Sequence, residues 1–134
     1  LVLKHRIYTK LFIGWMILIT ILCLIKLPVM EGPEIEMPYA DKVVHFGFYF
    51  VASVLGSFFI RELLAGHLAL LKTLGLVVGC LIAYGILIEV IQLVFTPWRS
   101  GEVADALANS LGALAGAGIV KLRFSGKGQL KWKN

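Results

Sequence analysis

The chain has 134 residues, 59% of them hydrophobic, with a mean hydropathy of +0.88 and a formal net charge of +5. Soluble domains carry about 45–50% apolar residues, so this is the composition of an integral membrane protein, and the length allows a single domain. Nucleic-acid binding is not expected, because the basic residues gather at the chain ends and between apolar runs instead of along a groove.

Lys4, Arg6 and Lys10 precede an apolar run over residues 11–27. No small-residue cleavage site follows, since Lys26, Leu27 and Pro28 stand where one belongs, and the run reads as a retained first transmembrane helix. Pro28, Pro33 and Pro38 with Gly32 break the chain over 28–42, a loop made acidic by Glu31, Glu34 and Glu36. The second helix is predicted over 43–60, entered through Asp41, Lys42 and His45. A basic connection over 61–72 carries Arg61, His67 and Lys72 and leads to a third helix over 73–96. Pro97, which has no amide proton, ends that run. After a short loop with Arg99, Ser100 and Glu102, a fourth helix is predicted over 103–120, followed by a basic tail over 121–134 that contains Trp132. Each run approaches the roughly 20 residues that cross a bilayer. The expected fold is an all-α bundle of four transmembrane helices.

Lysine and arginine flank the helices on the side of the N-terminus, the 61–72 connection and the tail. By the positive-inside rule both termini are then cytoplasmic and the 28–42 and 97–102 loops extracytoplasmic. Asp41 and His45, Glu89 and Gln92, Arg99, and Asp105 and Asn109 all fall at the outer ends of their helices in this arrangement. Polar side chains are costly at such depth, so their concentration on one side calls for pairing or a function.

Helices in lipid associate through close backbone approach and polar pairing. Small residues recur at four-residue spacing in three places: Gly75, Gly79 and Ala83; Ala108, Gly112 and Gly116; and Ala52 and Gly56. These seams predict packing of the second, third and fourth helices, with the first at the periphery and Asn109 turned into the bundle. Cys23 and Cys80 are expected at different depths, beyond disulfide reach, as small core residues.

Asp41 and His45 share a helical face at i,i+4. They read either as a carboxylate at a helix start beside an interfacial histidine, or as a carboxylate that orients an imidazole for proton transfer. Glu89 needs a partner at its depth, and Arg99 is the expected one, with Asp105 competing for the same cation. Tyr49, one turn beyond His45, either adds its hydroxyl to the site or only packs. Ser100 and Ser110 are nucleophiles only if a base reaches them. Trp98 and Tyr39 read as interfacial anchors, and Trp132 as part of a cytoplasmic surface segment. A four-ligand structural zinc site is excluded by the residues present, and no metal or cofactor is assigned. A hard cation held through carboxylate oxygens lacks a defining spacing.

The ordered set Asp41-Lys42-x-x-His45-x-x-x-Tyr49, Glu89-x-x-Gln92, Pro97-x-Arg99 and Asp105-x-x-x-Asn109-x-x-Gly112-x-x-x-Gly116 resembles the VanZ-like family of small bacterial membrane proteins. The resemblance covers roughly residues 39–120 and implies a multi-pass protein of the bacterial cytoplasmic membrane. The family's namesake is associated with lowered susceptibility to teicoplanin-type glycopeptide antibiotics.

Three functions stay open at this point. The first is a cell-envelope protein that binds or shields a glycopeptide, a lipid-linked wall precursor or another extracytoplasmic headgroup. In that scheme Arg99 holds an anion, Asp41, Glu89 and Asp105 position it, and His45, Gln92 and Asn109 supply hydrogen bonds. The second is a membrane enzyme acting on a lipid-linked or phosphorylated substrate, with His45, Asp41, Glu89 and Asp105 as candidate catalytic groups. The third is a structural or assembly protein whose polar residues are internal wiring. Membrane lipids are the expected partners in every case, and the oligomeric state is not readable from the sequence.

Overall fold

A computed structural model describes residues 6–25, 39–97, 101–125 and 132. These form α1 (Ile7–Leu24), α2 (Ala40–Leu63), α3 (Leu70–Phe95) and α4 (Val103–Phe124), with no strand among the described residues. The helices have 18, 24, 26 and 22 residues, and all four are apolar enough to cross a membrane. At about 1.5 Å per residue even the shortest nearly matches a hydrocarbon core of about 30 Å. Their outer faces carry exposed Leu, Ile, Val and Phe, among them Leu71, Leu93, Phe95, Leu111 and Leu122, as lipid contact requires.

The helices outrun their apolar stretches. The first begins at Ile7, the second at Ala40 and the third at Leu70, and the fourth continues to Phe124. A helix satisfies its backbone groups internally, so it continues into the polar boundary until a turn replaces those bonds. Between α2 and α3 that turn is short. Ala65 and Gly66 take positive φ of 49° and 73°, Gly66 donates to Arg61 O at 2.9 Å, and His67 donates to Leu64 O at 2.9 Å. This left-handed reversal closes the end of α2 and satisfies its last carbonyls.

α2 and α4 run parallel and form the closest pair. A Cβ on Gly112 would overlap the carbonyl oxygen of Phe46, and one on Gly116 would press on Phe50 and Ser53. Only glycine lets the two backbones meet there. The Gly112–Gly116 seam therefore packs as expected, and so do Ala52 and Gly56, which are buried. The third expected seam does not. Gly75, Gly79 and Ala83 are exposed, and a Cβ at either glycine meets nothing within 4 Å. On α3 the packed glycine is Gly85, against Asn109 and Tyr49.

α1 lies at the edge, with Ile19 and Cys23 its buried residues. Polar ties fasten it. The N–H and hydroxyl of Thr9 both donate to Glu62 Oε2 at 2.8 Å, placing a carboxylate at the start of α1, where the helix dipole favours it. Trp15 Nε1 donates to Phe48 O at 3.0 Å, and Thr20 bonds Tyr84 through their hydroxyls. Both cysteines are free, and Cys80 is exposed on α3 instead of lying in the core.

Trp132 also departs from expectation. It is buried, packs on Phe58 and Phe124, and donates through Nε1 to Leu68 O at 3.1 Å. Arg61 lies over its ring at 5.6 Å and donates to its carbonyl at 2.8 Å. The residue is a plug at the end of the bundle opposite to Asp41, not a surface side chain.

Candidate functional site

The start of α2, the end of α3 and the start of α4 share one end of the bundle, and their polar side chains converge there. His45 is only 2% exposed. Its Nδ1 lies 3.0 Å from Asn109 Oδ1 and 3.7 Å from Glu89 Oε1, so one ring edge faces α4 and α3 together. The opposite nitrogen, Nε2, lies 3.8 Å from Asp41 Oδ1. That separation is ionic proximity and too long for a hydrogen bond. Asp41 occupies the first turn of α2 with half of its side chain exposed, which makes it the rim of the site.

Loop geometry fixes Glu89. Gly101 lies against α3 so closely that a Cβ would overlap the carbonyl oxygen of Glu89. The contact brings the next backbone N–H, that of Glu102 at the N-cap of α4, to 3.2 Å from Glu89 Oε2. Unsatisfied amides at a helix start attract a carboxylate, and here they receive a buried one.

The acidic start of α4 is held by Lys42. Its Nζ lies 2.7 Å from Glu102 Oε2 and 2.9 Å from Asp105 Oδ1. Asp105 is buried, so this ion pair is what its burial depends on. Lys42 is thus the cation that Glu102 and Asp105 share. The donor atoms of Asp41, His45 and Asp105 all lie within 4.8 Å of one another.

A family model described as VanZ/LLP1 matches residues 11–124. The chain belongs to the VanZ/LLP1 family. No curated protein and no solved structure is significantly similar to it. The VanZ/LLP1 match takes in α2, α3 and α4, α1 after its first turn, and every polar residue of this site, and it stops before Trp132.

The expected residues of this VanZ/LLP1 chain divide into those that meet and those that do not. Asp41, His45, Glu89, Asp105 and Asn109 come together. Gln92 is buried but serves a different joint, donating through Nε2 to Cys23 O at 2.7 Å and tying α3 to α1. Tyr49 is buried beside Gly85, and its hydroxyl has no hydrogen-bond partner among the described residues, as is true of Asn109 Nδ2. Arg99, with Trp98 and Ser100, lies outside the described residues, and so does its expected pairing with Glu89. Asp105 takes Lys42 as its cation. Ser110 donates to Ala106 O at 2.8 Å and is not poised as a nucleophile.

Sequence reasoning passed over Lys42 and Glu102 as members of the site. Lys42 stood inside the quoted motif next to Asp41, which was the available signal. A groove of about 400 Å³ also opens between α3 and α4, lined by Glu89, Gly101, Glu102 and Ser110 with apolar Leu93 and Leu107. It leads sideways from the carboxyl groups along an apolar wall.

Proposed function

We propose that this VanZ/LLP1 membrane protein is a cell-envelope protein of the bacterial cytoplasmic membrane that binds a ligand in an outward-facing polar recess. The residues assigned to the recess are Asp41, His45, Glu89, Asp105 and Asn109, with Lys42 and Glu102. Its ligand is a headgroup of the envelope or a teicoplanin-type antibiotic, whose binding or shielding lowers susceptibility. The observation that carries the reading is the convergence of His45, Glu89 and Asn109 from three helices on one buried point. Buried polar clusters in membrane helices are expensive, and a ligand-binding role accounts for that cost. Charge placement along the sequence supports the outward side.

One feature refines the ligand. The groove between α3 and α4 offers an apolar wall continuous with Glu89 and Glu102, suited to a lipid-linked molecule that arrives from the bilayer. A second reading, acid–base catalysis on a lipid-linked substrate, draws on the imidazole of His45 lying between Asp41 and Glu89.

The test is teicoplanin susceptibility of cells that express wild type or His45→Gln at matched membrane levels. The reading expects lower susceptibility with wild type and loss of that effect with the variant. Equal susceptibility of wild type and empty vector removes the resistance role.

A further inference from the structure

We propose that α2 carries a proton path through the membrane, closed at one end by Trp132. Asp41, His45, Tyr49, Ser53, Ser57 and Arg61 follow one another at four-residue spacing along the whole helix. Residues four apart lie beside each other on successive turns. The middle rungs, His45, Tyr49, Ser53 and Ser57, are buried, none of them more than 2% exposed. Asp41 and Arg61 stand about 30 Å apart along the axis at about 1.5 Å per residue, which matches the hydrocarbon core. Polar side chains therefore repeat all the way from the site around His45 to the opposite end of the bundle.

Packing alone does not account for the ladder. Phe46, Phe48 and Phe50 flank Tyr49 in the sequence, yet this one ring bears a hydroxyl, buried with no hydrogen-bond partner among the described residues. Ser53 Oγ likewise has none. Each such group costs free energy in hydrocarbon, and polar groups that recur at depth mark a path for protons or ions. Ser57 Oγ donates to Ser53 O at 2.8 Å and keeps its lone pairs as acceptors. A hydroxyl that accepts one proton and gives up another is the unit that a relay requires. Successive rungs are about 5–6 Å apart at Cβ, a gap that one water spans with two bonds of about 2.8 Å.

The glycine seam decides what can pass. α4 rests on α2 at Gly112 and Gly116, where a methyl group would already overlap Phe46 O or press on Phe50. A hydrated ion or a lipid headgroup would have to part these backbones, whereas a proton moves by exchange of bonds in place. One proton joins a rung as another leaves it for the next, and every hydroxyl ends neutral once it has turned back. At the far end Arg61 Nε donates to Trp132 O at 2.8 Å, and the guanidinium lies over the ring at 5.6 Å. A fixed cation repels a proton, so the Trp132 contact, which holds Arg61 one turn beyond Ser57, is the gate.

The experiment places the full chain in phosphatidylcholine–phosphatidylglycerol vesicles that hold a pH-sensitive dye, with a potassium gradient and valinomycin driving protons inward. No antibiotic or headgroup ligand is involved, so its outcome is separate from that of the susceptibility test. Trp132→Ala should acidify the vesicles about tenfold faster than wild type, the change that removal of one barrier of hydrogen-bond size gives. Adding Tyr49→Phe or Ser53→Ala should slow that rate by about tenfold, since each takes out a rung. Adding Ser110→Ala, whose hydroxyl lies off the ladder and donates to Ala106 O, should leave the rate unchanged. Tyr49→Phe keeps the ring and removes only an unpartnered hydroxyl, so its thermal midpoint should not fall, and a leak through a loosened bundle would ignore it. Trp132→Ala vesicles that acidify no faster than protein-free ones overturn the proposal. So does an unchanged rate when Tyr49→Phe is added.

Discussion

His45 and Asn109 are 64 residues apart in the chain and 3.0 Å apart in the fold, joining α2 to α4 through a buried hydrogen bond. Asn109→Leu leaves the imidazole edge unsatisfied and should cost about 1–3 kcal/mol of stability. Adding His45→Phe removes the other polar partner and should recover part of the loss. Unfolding of the detergent-solubilised protein in a denaturant series measures both. A double variant less stable than Asn109→Leu contradicts the coupling.

The glycine seam gives a paired prediction. Gly112→Ala places a methyl into the carbonyl oxygen of Phe46 and should cost about 1–3 kcal/mol or more, as overpacking does. Gly79→Ala meets nothing within 4 Å and should be neutral or slightly stabilising through helix propensity. Thermal midpoints in one detergent separate the two. Equal effects would mean that α2 and α4 do not meet at Gly112.

That contrast also marks how far the sequence could be read. Four-residue spacing of small residues was legible, and it identified Gly112, Gly116 and the inward turn of Asn109 correctly. The same spacing at Gly75, Gly79 and Ala83 misled, because small side chains are tolerated on a lipid face as well as at a seam. Periodicity gives the face but not which neighbour covers it. The pairing of Lys42 with Asp105 depends on α2 lying parallel to α4, a relation that no local pattern encodes. Gln92 was readable as polar and inward, yet its partner is a backbone carbonyl, at Cys23, and backbone acceptors leave no sequence signature. Trp132 looked like part of a surface segment because its burial comes from Phe58 and Arg61, both distant in sequence, together with Phe124.

Lys42→Met should destabilise the protein more than Glu102→Gln does. Asp105 is buried and loses its cation in the first variant, whereas Glu102 is half-exposed and its loss leaves Lys42 with Asp105. Adding Asp105→Asn to Lys42→Met should restore part of the stability, since the stranded carboxyl is then gone. Expression level and thermal midpoint report the order, and a reversed order contradicts the pairing.

Trp132→Ala should lower the thermal midpoint, with an effect of at least about 1 kcal/mol from its ring contacts with Phe58 and Phe124. Trp132→Phe keeps the ring packing but removes the bond to Leu68 O, and should fall between wild type and alanine. An alanine variant as stable as wild type contradicts the plug.

The central claim is that the cluster around His45 opens to the outside of the cell. Thiol labelling of intact cells with a membrane-impermeant reagent tests it most directly, in a background with Cys23 and Cys80 replaced by alanine. Asp41→Cys and Glu102→Cys, both exposed at the mouth of the site, should be labelled, and Ser125→Cys, at the other end of α4, should react only after the membrane is opened. Labelling of Ser125→Cys in intact cells while both others stay protected would turn the site toward the cytoplasm and contradict the account.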